Sequence, residues 1–311
     1  MKPVVFRFAR LLAIASCAFC RAAIPSAATY SPRIISGHYR RRGGLSAVEC
    51  VCAQTHLAAG ILTRAVGVDQ RDNSAPPRVA LGVDGCRAGW LAVRLVAAGG
   101  RLTLDYALHP RFAPILEQHP NAGAIAVDMP IGLHESGRAR MRPCDHIARQ
   151  RLGKRACCVF IPPTRAMLCA ESYAPLRALG LSVQAYHLIP RIRELDALLT
   201  PDLQTRVWES HPELSYLAMT GAPIAYPKRT AAGQMARIDA LQRALGESGD
   251  ALACLLTAFG QAVAPKHAGI DDLLDACALA WSALRHTRGE AELCLGDPAY
   301  DARGLQMAIR Y

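Results

Sequence analysis

Asp84 and Asp128 occupy matching places in the chain: each closes a short apolar run and opens a turn, in GVDG and in AVDMP. If the two runs are neighbouring parallel strands, their carboxylates stand side by side at the carboxyl edge of a sheet, where open α/β sheets place ligands. Carboxylates held together repel unless a cation or a shared proton lies between them. A hard divalent cation such as Mg²⁺ takes oxygen ligands of this kind. A third acidic group, Asp271, Asp272 and Asp275, opens the helical pattern DDLLDACALAW. Asp271 reads as an N-cap and Asp272 as a first-turn acid. Asp275 has no such role, because it lies among Leu273, Leu274, Ala276 and Ala278. It shares a helix face with Asp272 at i,i+3 spacing. An acid among apolar neighbours needs a partner, and a metal bridging this helix and the two strand ends would supply one. Glu209, in WESHPE, ends a further strand as the aspartates do and is a weaker candidate ligand. In the same motif Glu213 reads as a helix-start acid, and His211, open to a proton-transfer role, reads more simply as structural.

The basic residues are distributed unevenly. The 311-residue chain has a formal charge of +11, but residues 1–77 carry 10 Lys+Arg against 3 Asp+Glu, while 78–311 carry 26 against 22. Within the latter, 138–165 holds Arg138, Arg140, Arg142, Arg149, Arg151, Lys154, Arg155 and Arg165 against the single acid Asp145. Arginine forks match phosphate oxygens. The expected phosphate contacts are therefore Arg87, Arg142, Arg149, Arg151, Lys154, Arg155 and Arg165, joined by Lys228 and Arg229 of PKRT. Phe160 is the main aromatic near the basic run, which argues for backbone contacts over base stacking. The partner this implies is a nucleic acid, DNA or RNA.

Composition excludes other classes. At 51% hydrophobic residues the chain is not a disordered protein, and no eighteen apolar residues run together without charge, which excludes an integral membrane protein. None of the eight cysteines after residue 77 forms a C-x-x-C pair, so no zinc knuckle is visible. A reducing, cytoplasmic compartment is the simpler reading of their use. The oligomeric state is left open.

The elements that must position the acids follow from pattern. Residues 1–77 have poor element grammar despite a signal-like stretch at 11–20, and read as a disordered or spurious leader closed by the linker DNSAPP. The domain spans 78–311. Runs at 78–83, 89–96 and 101–108 read as an antiparallel meander, followed by a helix at 112–118 and a buried strand at 124–127. A helix between strands suggests a crossover and a parallel neighbour. Residues 130–204 read as a helical insertion forming a small cap, with a helix at 144–152. A short strand follows at 205–209, then helices at 212–220, 231–245, 251–263 and 271–285. The layout is mixed α/β.

Taken in order, GVDGCRAGW, AVDMPIGL, RPCDHIARQRLG, VFIPPTR, WESHPE, PKRT and DDLLDA resemble a family of predicted nucleases with a ribonuclease H fold, domain-of-unknown-function family 429. The resemblance covers essentially all of 78–311 and none of 1–77. The pattern D-x-x-D-A-x-A-x-A, from Asp272 to Ala280, is also similar to the last helix of the Holliday-junction resolvase RuvC group. The resemblance implies a ribonuclease H-like mixed five-stranded sheet flanked by helices, with the helical insertion before the last strand. It implies two divalent ions, Mg²⁺ or Mn²⁺, held by acids of the first strand, the fourth strand and the last helix. Here those are Asp84, Asp128, Asp272 and Asp275, with Asp128 where the superfamily often has glutamate. The expected function is metal-dependent hydrolysis of phosphodiester bonds. One alternative is a non-catalytic nucleic-acid-binding module on the same fold. Another is an actin-like phosphotransferase with GVDG as a phosphate loop, which needs further glycine-rich loops that DDLLDA does not supply.

Overall fold

The computed structural model describes the backbone of 36–41 and 44–49 and the whole of 76–311. Within the stretch read as a leader, Ser36–Arg41 (β1) pairs antiparallel with Gly44–Glu49 (β2). The leader reading otherwise falls outside the described residues.

Arg78–Cys86 (β3), Gly89–Ala98 (β4) and Arg101–His109 (β5) form the expected meander. Its second turn is the pair Gly99–Gly100, at φ 55° and 72°, a left-handed conformation that suits a two-residue hairpin and that glycine adopts without steric cost. Ala113–Gln118 (α1) then leads to Ala124–Val127 (β6), which pairs parallel with β3 from Ala80↔Ala124 to Val83↔Val127. Val207–Glu209 (β7) pairs parallel with β6. The result is a mixed five-stranded sheet in the order β5-β4-β3-β6-β7.

The central strands are apolar on both faces, as strands covered on both sides must be. Their faces differ in size, however. Ala80, Ala124 and Ala126 turn to one side, where they meet Ala231–Leu245 (α6), Gly249–Ala262 (α7) and Ile270–Thr287 (α8). Leu81, Val83, Ile125 and Val127 turn to the other. There they pack with Val183–Leu198 (α4) through Ile189, Ile192 and Leu195. Residues 130–204 are helical as expected, comprising Pro143–Leu152 (α2), 3-10 segments at Gly153–Cys158 and Arg165–Cys169, Tyr173–Ala178 (α3), α4 and the start of a third 3-10 segment, Leu203–Thr205. Yet α4 belongs to the core of the sheet's second face, not to a separate cap. Pro212–Thr220 (α5) follows β7 and ends on Gly221 in the left-handed region, a common helix stop.

Two features depart from the sequence reading. β3 continues to Cys86, so Asp84 lies inside the strand, opposite Leu91, rather than after its end. A C-terminal hairpin, Leu293–Tyr300 (β8) with Gln306–Arg310 (β9), has no counterpart in the pattern. Gly296 and Pro298 make LCLGDPAY read as a loop, and the register slips between Leu295 and Tyr300, where they sit. The hairpin packs on Cys144, Ala148 and Leu152 of α2. Among the described residues no helix is long and apolar enough to cross a membrane.

Candidate active site

The carboxylates are brought together by a close approach of helix and strand. A Cβ on Gly82 would lie 2.1 Å from both the Ala276 carbonyl and the Ala280 amide, so α8 rests directly on the backbone of β3. At the other end of the pair Arg78 donates to the Thr287 carbonyl, so α8 runs back along β3 with its N-terminus at the strand's carboxyl end. Asp84, two residues beyond Gly82, faces that N-terminus by strand alternation. Asp128 follows β6 directly, and its amide donates to the Val83 carbonyl at 3.0 Å, which carries the β3–β6 register on to set Asp128 beside Asp84. Asp272 and Asp275 come from the first turns of α8. All four line one pocket of about 450 Å³. The start of α8 differs in one respect from expectation: the N-cap is Gly269, not Asp271, and the Asp272 carboxylate reaches back to accept the Gly269 amide at 2.8 Å. That is the reciprocal half of a capping box, and it gives Asp272 a structural use as well.

The pocket is short of positive charge for the acids it holds. Asp84 is 6% exposed and Asp275 3%. Burial first, then the neighbouring Asp128 and Asp275, hold the Asp84 carboxyl well above the usual range, against the pull of Lys228. Burial also raises Asp128, Asp272 and Asp275, the last to about 6. Lys228 is the ammonium among them. Its Nζ donates to Asp275 Oδ2 at 2.5 Å, and although burial works against its charge, Asp275 and Asp84 hold it protonated far above the ordinary range. Sequence reasoning grouped Lys228 with the phosphate contacts; the structure puts it at the centre of the carboxylates.

Of the basic segment, Arg138, Arg140, Arg151 and Lys154 are exposed, Arg149, Arg155 and Arg165 are half-buried and Arg142 is buried, and two of its members are corrected outright. Arg142 is 1% exposed. Its guanidinium grips both oxygens of Glu209 at 2.7 and 2.6 Å and both of Asp145 at 2.6 and 3.1 Å, so it reaches no substrate. Arg165 is 15% exposed and is held by Glu135, Asp196 and Asp301. The same geometry corrects Glu209. Its Oε2 also accepts the Ile131 amide, so both oxygens are already engaged by neighbours, and it does not line the 450 Å³ pocket. Arg149 contacts the Met141 sulfur and Arg151 pairs with Glu292, both away from the pocket, and Lys154 is exposed beyond α2. Arg87 is an exposed donor to the Pro265 carbonyl. Of the expected phosphate contacts, the pocket wall holds Arg155, Lys228 and Arg229.

A model of the family described as "Protein of unknown function (DUF429)" matches residues 82–300. The chain belongs to the DUF429 family. The match spans Asp84, Asp128, Asp272, Asp275 and Lys228. No curated protein and no solved structure matches the chain.

Sequence reasoning missed two partners within this DUF429 domain. Arg237 is fully buried and pairs with Glu213 at 2.5 Å. Glu213, read only as a helix-start acid, also pairs with Arg155 at 3.2 Å and lines the pocket. A signal for Arg237 was present, since it shares the apolar face of α6 with Gly233 and Leu241, where a charge needs a buried partner. His211 behaves as the structural residue it was read to be: Nδ1 accepts the Glu213 amide at 3.2 Å as the N-cap of α5, and Nε2 lies 3.3 Å from the Cys158 carbonyl. Its ring nevertheless forms part of the pocket wall.

The donor set suits a hard divalent cation. It is all oxygen, it carries protonation pressure that a cation relieves, and an ammonium already stands among the acids as a substitute cation. Among the described residues, no group of three or more histidine, cysteine, aspartate or glutamate side chains forms an ion-holding cluster as placed.

Proposed function

We propose that this DUF429 domain is a divalent-metal-dependent nuclease on a ribonuclease H-like fold. The observation that carries the reading is the gathering of Asp84, Asp128, Asp272 and Asp275, with Asp271 beside them, from β3, β6 and α8 into one pocket, with a single ammonium among them. Asp84, Asp128, Asp272 and Asp275 would hold the ions, which, when bound, activate a water and stabilise the leaving oxygen of a phosphodiester. The chain's own contribution is positional. The contact at Gly82 locks the helix acids against the strand acids. Arg155 and Arg229, at the pocket wall, would receive the phosphate backbone of DNA or RNA. A reducing, cytoplasmic setting is supported by Cys86, Cys144, Cys277 and Cys294, which are buried as free thiols and act as small hydrophobes.

The test is cleavage of DNA, RNA and hybrid substrates with Mg²⁺ or Mn²⁺. Cleavage is expected to be lost when Asp84→Asn and Asp128→Asn are combined, and cleavage unchanged in that variant would overturn the reading. The ammonium on Asp275 favours one second reading, a non-catalytic nucleic-acid-binding module whose acids are satisfied by lysine. It predicts salt-sensitive binding without cleavage that survives the same substitutions.

A further inference from the structure

We infer that Lys228 is a built-in competitor for the metal: its ammonium holds the pocket's carboxylates together in the metal-free protein, and leaves Asp275 when a divalent cation enters. This rests on the metal-dependent reading above. Asp84, Asp128, Asp272 and Asp275 converge from three elements, with Asp271 and Glu213 on the same pocket wall. Asp84 and Asp275 are almost fully buried, and without a cation the repulsion favours opening the pocket. Lys228 supplies that cation from a fixed base. The Pro227 carbonyl accepts from both the amide and the hydroxyl of Thr230, which in turn caps α6 by accepting the Gly233 amide. A Cβ on Gly233 would fall 1.9 Å from the Pro227 carbonyl oxygen, so loop and helix meet without slack.

The side chain beyond that base is in a different state. It is 37% exposed, and among the described residues its hydrogen bond goes to Asp275. Arg142 and Arg237 are immobilised by several bonds each at 1% and 0% exposure. Lysine is a compact, strongly hydrated charge on a flexible four-carbon stem. It can swing toward the pocket mouth, regain water and leave no buried partner unpaired, provided a dication takes over the carboxylates.

The experiment is titration of the full chain with Mn²⁺ alone, following the free ion by electron paramagnetic resonance at fixed pH and ionic strength. Lys228→Met is expected to bind Mn²⁺ about tenfold more tightly than the wild type. Its metal-free Tm falls, and Mn²⁺ restores it. A lysine serving only as a structural tie predicts the reverse, weaker binding on its removal. Lys228→Arg keeps the charge and hence the fold, and its fork ties two carboxylates at once, so it is expected to bind Mn²⁺ more weakly than the wild type. Equal or weaker binding by Lys228→Met overturns the inference. Should that variant fail to fold, equal or tighter binding by Lys228→Arg does the same. Wild-type binding that neither variant alters overturns the competitor role and leaves the nuclease reading standing. A wild type that binds no Mn²⁺ overturns both.

Discussion

Two charged clusters sit at the carboxyl edge of the same sheet, one strand apart, and they are solved in opposite ways. At the end of β7, Glu209 meets Asp145 and Arg142 in a closed network: the guanidinium reaches all four carboxylate oxygens, and its remaining capacity goes to the Ile131 carbonyl. Burial opposes the charge on Arg142, but Asp145 and Glu209 hold it protonated well above the usual range. At the ends of β3 and β6, four aspartates share one lysine, and burial with mutual repulsion raises the carboxyls. Burial raises the Glu209 carboxyl as well, to about 7, against the pull of Arg142. Every carboxylate oxygen of the first cluster nevertheless accepts a guanidinium hydrogen bond, whereas the ammonium of the second donates to Asp275. The first cluster is complete in its hydrogen bonds and the second is not. An incomplete cluster that the fold nevertheless maintains is the one suited to binding something further.

The contrast implies opposite responses to loss of charge. Arg142→Met should destabilise most, by about 3–5 kcal/mol, because it strands two buried carboxylates while leaving the volume filled. Urea denaturation checks this, and a loss under about 1 kcal/mol would mean that water reaches the network and that the two clusters do not differ in kind. Asp84→Asn removes one of the crowded charges and should raise stability by about 1 kcal/mol near neutral pH while it removes metal-dependent cleavage, the usual trade between a strained site and a relaxed one. A marked loss of stability in Asp84→Asn would show that Lys228 already balances the pocket.

How far these clusters could be read from the sequence depends on the range of the contacts that build them. Asp84 and Asp128 were recognisable because their signal is local: an apolar strand, an acid, a turn, repeated in two strands joined by a helical crossover. The capping and spacing of Asp272 and Asp275 are local too, though the cap falls on Gly269. Arg142 was misplaced, and the Asp275 partner of Lys228 was missed, because these partners are not local. Glu209 lies 67 residues from Arg142, and Asp275 lies 47 from Lys228. A run of basic residues reads alike whether its charges face water or are paired inside, and only the folded chain tells Arg142 from Arg155. The β8–β9 hairpin escaped for a third reason, since Gly296 and Pro298 contradict the strand pattern that the structure imposes on them.

The smallest expected effect, and the one most particular to the pocket, is its pH dependence. Asp84, Asp128, Asp272 and Asp275 all have folded-state values above the ordinary 3.8, with Asp275 at about 6. For an acid raised on folding, the native state binds the proton more tightly than the unfolded chain does. Its contribution to stability is then fully present below the unfolded value and lost as pH rises through the folded one. Stability should therefore increase as pH falls from about 7 toward about 5, opposite to the trend expected of paired carboxylates. Glu209, raised by burial to about 7, adds to the trend from outside the pocket, while His109, His119 and His286, lowered by burial, oppose it in the same window. Asp301, held below 3.8 against its burial by the Arg165 guanidinium and backbone amides, opposes it in more acidic solution. The pocket's share is therefore read from changes made to the pocket itself. Denaturation midpoints at pH 7.5 and pH 5 test the trend, and Asp84→Asn should flatten it by removing both a titrating group and the charge that raises its neighbours. Saturating Mn²⁺ should flatten it as well, because a bound cation satisfies the same carboxylates without a proton. A wild-type slope that neither the substitution nor the metal changes would move the origin of the pH dependence out of the pocket and remove the electrostatic distinction between the two clusters.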